Sequence, residues 1–278
     1  MKFAMTGHKG LIGSFLLERL KREGHEPVLL VDKRDNSDIL EIDKMELGEK
    51  ADVMIHLAAF CKINKTIENP ALAFENNALG TFKVLEFCRK NKIPKIIFTS
   101  SSRILERERN PYTASKIYGE ELCKGYCQCY GIEYVIVRPS TVYGPFDDKT
   151  LRLADIFIRS ALKGEDLKIY GDETKTLDFT YVDDFVDGFM LALTQKNKEF
   201  DIGTGKATRV SYVADLIINE IGKGKKIFME EEKAQPQHVE LDIIEMQKIG
   251  YEPKISIEEG IRKTAKWYKE NINIHINK

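Results

Sequence analysis

Short apolar runs alternate with amphipathic stretches along the first half of this chain. Lys2–Thr6 is apolar enough for a buried strand. Leu11, Phe15, Leu16 and Leu20 then recur at helical spacing, and Gly24 is a residue suited to ending a helix. Residues 27–31 are apolar without a break, as a strand covered on both faces must be, and they end at Asp32. Residues 51–59 repeat that pattern. A helix over 70–91, a strand over Lys95–Thr99, a helix from about Tyr112 and a strand over 134–137 follow. Strands that alternate with helices pair in parallel through helical crossovers, so the predicted fold is α/β, a Rossmann-like doubly wound parallel sheet.

Beyond Arg138 the rhythm loosens. The pattern predicts a helix over 151–163, a strand Leu167–Tyr170, a helix over 182–194 that returns toward the sheet, and an amphipathic helix Val210–Ile221. A last helix over 256–270 is opened by Ser256 with Glu259 three residues on, a capping-box pattern. The expected organisation is a dinucleotide-binding domain, 1–141, with return elements around 175–195, and a smaller C-terminal α+β substrate lobe, 142–278. No internal repeat marks the chain.

Composition narrows the class. The chain has 278 residues, 42% apolar and 31% charged, with a net charge of -1, a balance that offers nothing to nucleic acid or to a membrane surface. No apolar run approaches the ~20 residues that span a bilayer, and the N-terminus enters a strand directly, without a signal peptide. Five cysteines, an odd number, predict reduced thiols and a cytoplasmic location.

Two stretches carry candidate chemistry. The first is Gly7-x-x-Gly10-x-x-Gly13, between the first strand and the first helix. There Gly7 permits a tight turn, Gly10 lets backbone approach a pyrophosphate, and Gly13 lets the helix pack closely. The helix N-terminus adds N–H donors and positive dipole. Asp32 stands where a carboxylate holds the adenosine ribose hydroxyls, which favours NAD over NADP, although Lys33 and Arg34 beside it could accept a 2′-phosphate. The second stretch runs from Phe98 through three serines to Tyr112 and Lys116. Four residues apart on a helix, the phenol and the ammonium share a face, and the ammonium is expected to lower the Tyr pKa toward working pH.

Together these segments resemble the extended short-chain dehydrogenase/reductase family, specifically its NAD-dependent nucleotide-sugar epimerases and dehydratases. The resemblance covers nearly the whole chain. It rests on Thr6-Gly-His-Lys-Gly-Leu-Ile-Gly13, His56-Leu-Ala-Ala59, Asn77-Ala-Leu-Gly-Thr81, the segment from Pro111 to Glu120, and Arg138-Pro-Ser-Thr-Val-Tyr-Gly-Pro145. Asp178-Phe-Thr-Tyr-Val-Asp-Asp184, Asp201-Ile-Gly-Thr-Gly205 and Gly250-Tyr-Glu-Pro-Lys254 complete it. The resemblance implies a catalytic set of Ser101, Tyr112 and Lys116, with Tyr112 as acid/base, Lys116 on the nicotinamide ribose and Ser101 on the reacting oxygen. It implies NAD contacts from Gly7, Gly10, Leu11, Ile12, Gly13, Asp32, Lys33, Asp43, Leu57, Ala58, Ala59, Asn77 and Thr99, with Tyr112, Lys116 and Pro139. Lys62, Ser101, Thr141 and Lys175 are the implied substrate contacts. The implied reaction is epimerisation of a nucleotide sugar at C4 through a transient keto-sugar. A sugar-nucleotide reductase or dehydrogenase that consumes cofactor, and a family member that binds NAD without turnover, are the alternatives.

Several positions depart from the family pattern. Only ten residues separate Ser101 from Tyr112, and Ser102-Arg103 stands where the dehydratases carry Asp-Glu, which counts against 4,6-dehydration. The Asn of the Arg-x-x-Asn-x-Tyr-Gly-Pro pattern is Thr141, and the Arg that often precedes Asp178 is Leu177. Leucine cannot bind a diphosphate, so Lys175, Arg152 or Arg209 substitutes, or the substrate differs. Cys123, Cys127 and Cys129 are read as ordinary thiols with no metal, His56 as a packed strand residue, and Asp183 and Asp184 as helix N-terminal caps. Apolar residues on the helices near 71–90 and 112–129, among them Phe74, Phe82 and Tyr118, predict a homodimer through a four-helix bundle, as the family resemblance implies.

Overall fold

A computed structural model of the chain describes residues 1–147, 150 and 152–271. Six parallel strands form the central sheet: β1 (Lys2–Thr6), β2 (Glu26–Val31), β3 (Val53–His56), β4 (Lys95–Thr99), β5 (Glu133–Pro139) and β6 (Lys198–Ile202). Their spatial order is β6-β5-β4-β3-β1-β2, so the winding reverses between β1 and β3. Ligands of doubly wound sheets bind in the crevice at the carboxyl ends of the strands at such a switch point. Apolar side chains fill most of the sheet interior: Phe3, Met5, Ile55, Ile97, Val135 and Val137 are all essentially inaccessible. That is why the strands read as continuous runs rather than alternations.

Helix α1 (Leu11–Arg22) follows β1 and ends with Arg19, Lys21 and Arg22 against the negative end of its dipole. The expected helix over 70–91 is interrupted. A short α segment, Ala71–Ala73, leads into a π-helical stretch, Phe74–Leu79, and then into α2 (Gly80–Lys90). The helix carrying Tyr112 is α3 (Pro111–Tyr130), with Pro111 at its first position and a full capping box made by Asn110 and Thr113. It ends at Gly131, whose φ of 70° is the left-handed conformation glycine adopts without strain.

In the second half, α4 (Leu153–Lys163), α5 (Val182–Leu193), α6 (Val210–Ile221) and α7 (Ile257–Asn271) surround short strands that include Leu167–Tyr170 and Lys226–Met229. Leu151, expected to open α4, lies outside the described residues. The return toward the sheet extends past the expected 175–195: beyond α5 the chain adds β6 to the edge, paired with β5 from Lys198↔Val135 to Ile202↔Pro139. Asp184 does not cap α5. Its carboxylate accepts the Lys254 and Ile255 amides at 3.1 and 2.9 Å, and so ties the segment before α7 to the start of α5. No helix of the described residues is long and apolar enough to cross a membrane.

Candidate active site

Ser101, Tyr112 and Lys116 meet at the carboxyl end of β4. Ser101 lies two residues beyond the end of β4 and caps a single 3-10 turn, Ser102–Ile104, by accepting the Arg103 N–H at 3.2 Å. Tyr112 and Lys116 lie in the first two turns of α3, with 6% and 3% of their surfaces exposed. The Lys116 ammonium donates to the Thr99 carbonyl at 2.7 Å and sits 5.1 Å above the Phe98 ring. Close packing makes this possible: a Cβ on Gly119 would lie 2.4 Å from the Phe98 ring, so only glycine lets α3 approach the strand so nearly.

A second clamp holds the helix from its other side. Arg138 on β5 donates to both carboxylate oxygens of buried Glu120 on α3, at 2.7 and 2.6 Å, and also pairs with Glu199 on β6. This bidentate pair fixes the helix in register with two strands, and removing Arg138 would leave the buried Glu120 carboxylate without its counter-charge.

The electrostatics differ from the expectation. Burial pushes the Tyr112 phenol up to about 12, with Cys61 adding to the rise, while a hydrogen bond from Ser101 and the charges of Arg103 and Arg152 oppose it. Burial pushes Lys116 down to about 8, with Cys61 and Glu120 opposing. The ammonium faces Thr99 rather than dominating the phenol, so the cations that pull on Tyr112 are two arginines that motif spacing does not reveal. Desolvation outweighs proximity here because both groups are buried.

The glycine loop is shaped to carry a dinucleotide. Gly7 has φ 77°, and a Cβ there would lie 2.7 Å from the Ala58 nitrogen; one on Gly13 would lie 2.1 Å from the Gly7 carbonyl. A Cβ on Gly10 would meet nothing nearer than 3.4 Å, so this face is open to a pyrophosphate. Leu11 and Ile12 begin α1, whose N-terminal N–H groups point to the same crevice. Asp32 is 8% exposed at the end of β2. Its carboxylate accepts the Lys9 and Arg34 amides, both at 3.0 Å, which leaves further lone pairs for ribose hydroxyls. Leu57 and Ala58 are held against β1 through the Thr6 carbonyl and hydroxyl, and Ala59 follows them. Thr99 brings an unpartnered buried hydroxyl to the crevice, and Pro139 ends β5.

Three expected cofactor contacts are engaged elsewhere. The Lys33 ammonium bonds to Asn76 at 2.7 Å and pairs with Asp38 at 3.2 Å. Asp43 pairs with Lys83 at 3.0 Å, which holds its carboxyl below the usual range. Asn77, 2% exposed, uses its amide wholly on the protein: it bridges the Phe60 N–H (2.7 Å), the Phe60 carbonyl (3.0 Å) and the Ser115 hydroxyl (3.0 Å). Ser115 in turn donates to the Tyr112 carbonyl at 2.7 Å. Asn77 therefore joins the loop after β3 to the helix that carries Tyr112.

On the substrate side, Lys62 and Thr141 are partly exposed. Lys175 is 8% exposed and donates to the Tyr170 carbonyl at 2.6 Å, with burial lowering its pKa. Arg209 is exposed and lines a cleft of about 380 Å³ with Glu173, Tyr212 and Lys226 on the C-terminal lobe. His56 is a packed strand residue, bonded to the Thr6 and Thr81 hydroxyls at 2.7 and 3.1 Å and held neutral by burial, its pKa near 3. No group of three or more metal-ligating side chains occurs among the described residues.

The comparisons agree with this geometry. The model of the NAD dependent epimerase/dehydratase family matches residues 3–203. A putative UDP-glucose 4-epimerase of Methanocaldococcus jannaschii is 34% identical, covering 96% of this chain and 98% of its own length. A UDP-glucuronate 4-epimerase of Thermodesulfobacterium geofontis is 32% identical over 80% of this chain and 73% of its own. The solved UDP-glucose 4-epimerase of Thermus thermophilus in complex with NAD superimposes with a TM-score of 0.89 at 27% identity, covering 98% of this chain and 100% of its own. With a glycine loop fit for a dinucleotide and a Ser–Tyr–Lys set at the switch-point end of its sheet, the chain belongs to the NAD-dependent epimerase/dehydratase family and is an enzyme of that family.

Proposed function

We propose that this chain epimerises a UDP-sugar at C4, with NAD retained through the cycle. The observation that carries the reading is Ser101, Tyr112 and Lys116 gathered at the carboxyl end of β4, beside an open-faced glycine loop. Bound NAD supplies a hydride acceptor and donor. Tyr112 accepts the proton of the C4 hydroxyl and returns it after the keto-sugar has turned over. Ser101 hydrogen-bonds the reacting oxygen. Lys116 binds the nicotinamide ribose, while the Ser101 hydroxyl and the charges of Arg103 and Arg152 oppose the rise that burial imposes on the phenol. Lys175, Thr141 and Lys62 contact the nucleotide-sugar, with Lys175 in the place of the family's diphosphate arginines. Tyr112→Phe should abolish turnover while NAD remains bound; a variant that turns over at the wild-type rate removes the assignment.

The protein acts as a cytoplasmic homodimer in this reading. Phe74, Phe82 and Tyr118 are 63%, 38% and 46% exposed around an apolar groove of about 620 Å³ between the two helical segments. The five cysteines form no disulfide, which fits a reducing compartment. Sedimentation of wild type and Phe74→Glu tests the pairing: dimer for the first and monomer for the second are expected, and a monomeric wild type at micromolar concentration overturns it.

A further inference from the structure

From Glu230 to Gln237 the chain forms neither helix nor strand. Both ends of this segment are fixed on the C-terminal lobe: the Met229 carbonyl accepts the Gly171 N–H at 3.0 Å, and the Gln237 carbonyl accepts the Thr176 N–H at 2.9 Å. Its middle reaches the other half of the molecule. Asn64, on the helix Ile63–Glu68, donates to the Glu232 carboxylate at 2.5 Å and accepts from the Gln235 amide at 2.8 Å. Asn110 donates to the Ala234 carbonyl at 2.9 Å. Ala234 has φ 51°, a left-handed conformation that alanine keeps only where its surroundings hold it. The base of the segment packs beside Lys175: a Cβ on Gly171 would lie 2.5 Å from Gln237 Oε1 and 3.4 Å from Lys175 Cδ. Its far contacts are Asn64, two residues beyond Lys62, and Asn110, two residues before Tyr112. The segment thus runs from the lysine assigned to the diphosphate to the start of the helix that carries the acid/base.

We propose that Asn64 and Asn110 are positioning residues that clasp residues 230–237 as a strap across the substrate crevice, so that a nucleoside-diphosphate sugar enters and leaves when both release. This rests on the reading of the crevice as a nucleotide-sugar site. The chemistry of the strap makes it a cover rather than a ligand contact. Glu230, Glu231 and Glu232 give it three negative charges, which repel a diphosphate. The Gln235 amide and the Ala234 carbonyl are spent on Asn64 and Asn110. Asn64 is exposed, and hydrogen bonds open to water are worth little net, so its half of the clasp releases readily. Asn110 is 8% exposed and works twice. Its Oδ1 accepts the Thr113 N–H at 3.0 Å and caps α3, while its Nδ2 donates to the strap. Closure is therefore felt at the first turn of the helix that holds Tyr112. The two tasks sit on different atoms and can be separated, because aspartate caps a helix as well as asparagine does but has no N–H for Ala234.

The test compares NAD-loaded wild type with Asn64→Ala and Asn110→Asp by two readouts. The first needs no ligand: trypsin cleavage after Lys233, an exposed residue of the strap, identified by fragment mass. Both variants should be cut about 3- to 10-fold faster than wild type, the shift in open population that one or two weak hydrogen bonds can hold. The second is surface plasmon resonance with UDP. Association and dissociation rates should rise together in both variants, leaving Kd within about twofold of wild type, because a cover that does not touch the ligand changes access and not affinity. Thermal unfolding should place Asn110→Asp within about 2 °C of wild type, since its cap survives. Equal cleavage after Lys233 in all three proteins overturns the clasp. So does a dissociation rate that rises while association is unchanged, because the segment would then be a ligand contact. Wild type that binds no UDP, while cleavage still depends on Asn64 and Asn110, supports the strap and removes the nucleotide reading separately.

Discussion

Replacing Asn77 with alanine separates a positioning role from a cofactor contact. The side chain is 2% exposed and makes three hydrogen bonds, two to the backbone of Phe60 and one to Ser115. In Asn77→Ala the Ser115 hydroxyl keeps its bond to the Tyr112 carbonyl, but the Phe60 N–H and carbonyl lose their partner in a part-buried setting. An unsatisfied buried group costs about 1–3 kcal/mol, and two of them cost roughly 2–4 kcal/mol once water reaches the loop. For a chain of this size that is a fall in Tm of about 5–10 °C. The loop after β3 carries Ala58, which lies against Gly7, so NAD affinity should fall as well. The assay is thermal unfolding with and without NAD. A variant that melts within about 1 °C of wild type yet binds NAD tenfold more weakly would refute the clamp and make Asn77 a direct cofactor ligand.

Other expectations follow from the same geometry. Gly119→Ala drives a methyl to 2.4 Å from the buried Phe98 ring, which should cost about 1–3 kcal/mol and depress turnover. Gly125→Ala, on the same helix with nothing within 4 Å, should instead stabilise by about 0.5–1 kcal/mol in chemical denaturation. His56 has a folded pKa near 3 against an ordinary 6.5. The unfolded chain therefore binds the extra proton, and stability should fall with pH below 6.5 by about 1.4 kcal/mol per unit from this residue. NMR should show its imidazole neutral at pH 5, and a ring that titrates near 6.5 contradicts this. Lys116→Met should abolish turnover yet stabilise the fold at neutral pH by about 1–3 kcal/mol, because a desolvated ammonium is removed. That gain should shrink as pH rises above about 8, where wild-type Lys116 sheds its proton; a gain independent of pH would contradict the burial argument.

The hydrophobic pattern revealed much of the fold because the interior strands are buried on both faces: β1 and β4 fall where the apolar runs do. Strand β6 escaped that reading. Its sequence, Lys-Glu-Phe-Asp-Ile, alternates at the sheet edge, with only Phe200 and Ile202 fully buried. The π-helical stretch was also invisible, since its apolar spacing matches that of an ordinary helix. At the site, spacing paired Tyr112 with Lys116 and the family resemblance added Ser101, but neither showed which polar groups the protein itself consumes. Asn77 and Asp43, expected on the cofactor, are also bonded within the protein, to Phe60 and to Lys83.

The central claim is internal hydride return at C4 under the control of Tyr112. The direct measurement is to supply a UDP-sugar deuterated at C4 to the NAD-loaded enzyme and follow both epimers by NMR, with absorbance at 340 nm recorded in parallel. The account predicts that the product epimer keeps its deuterium at C4 with no net change in absorbance, and that Tyr112→Phe forms no epimer. Loss of the label from C4, or steady accumulation of reduced cofactor, would contradict it.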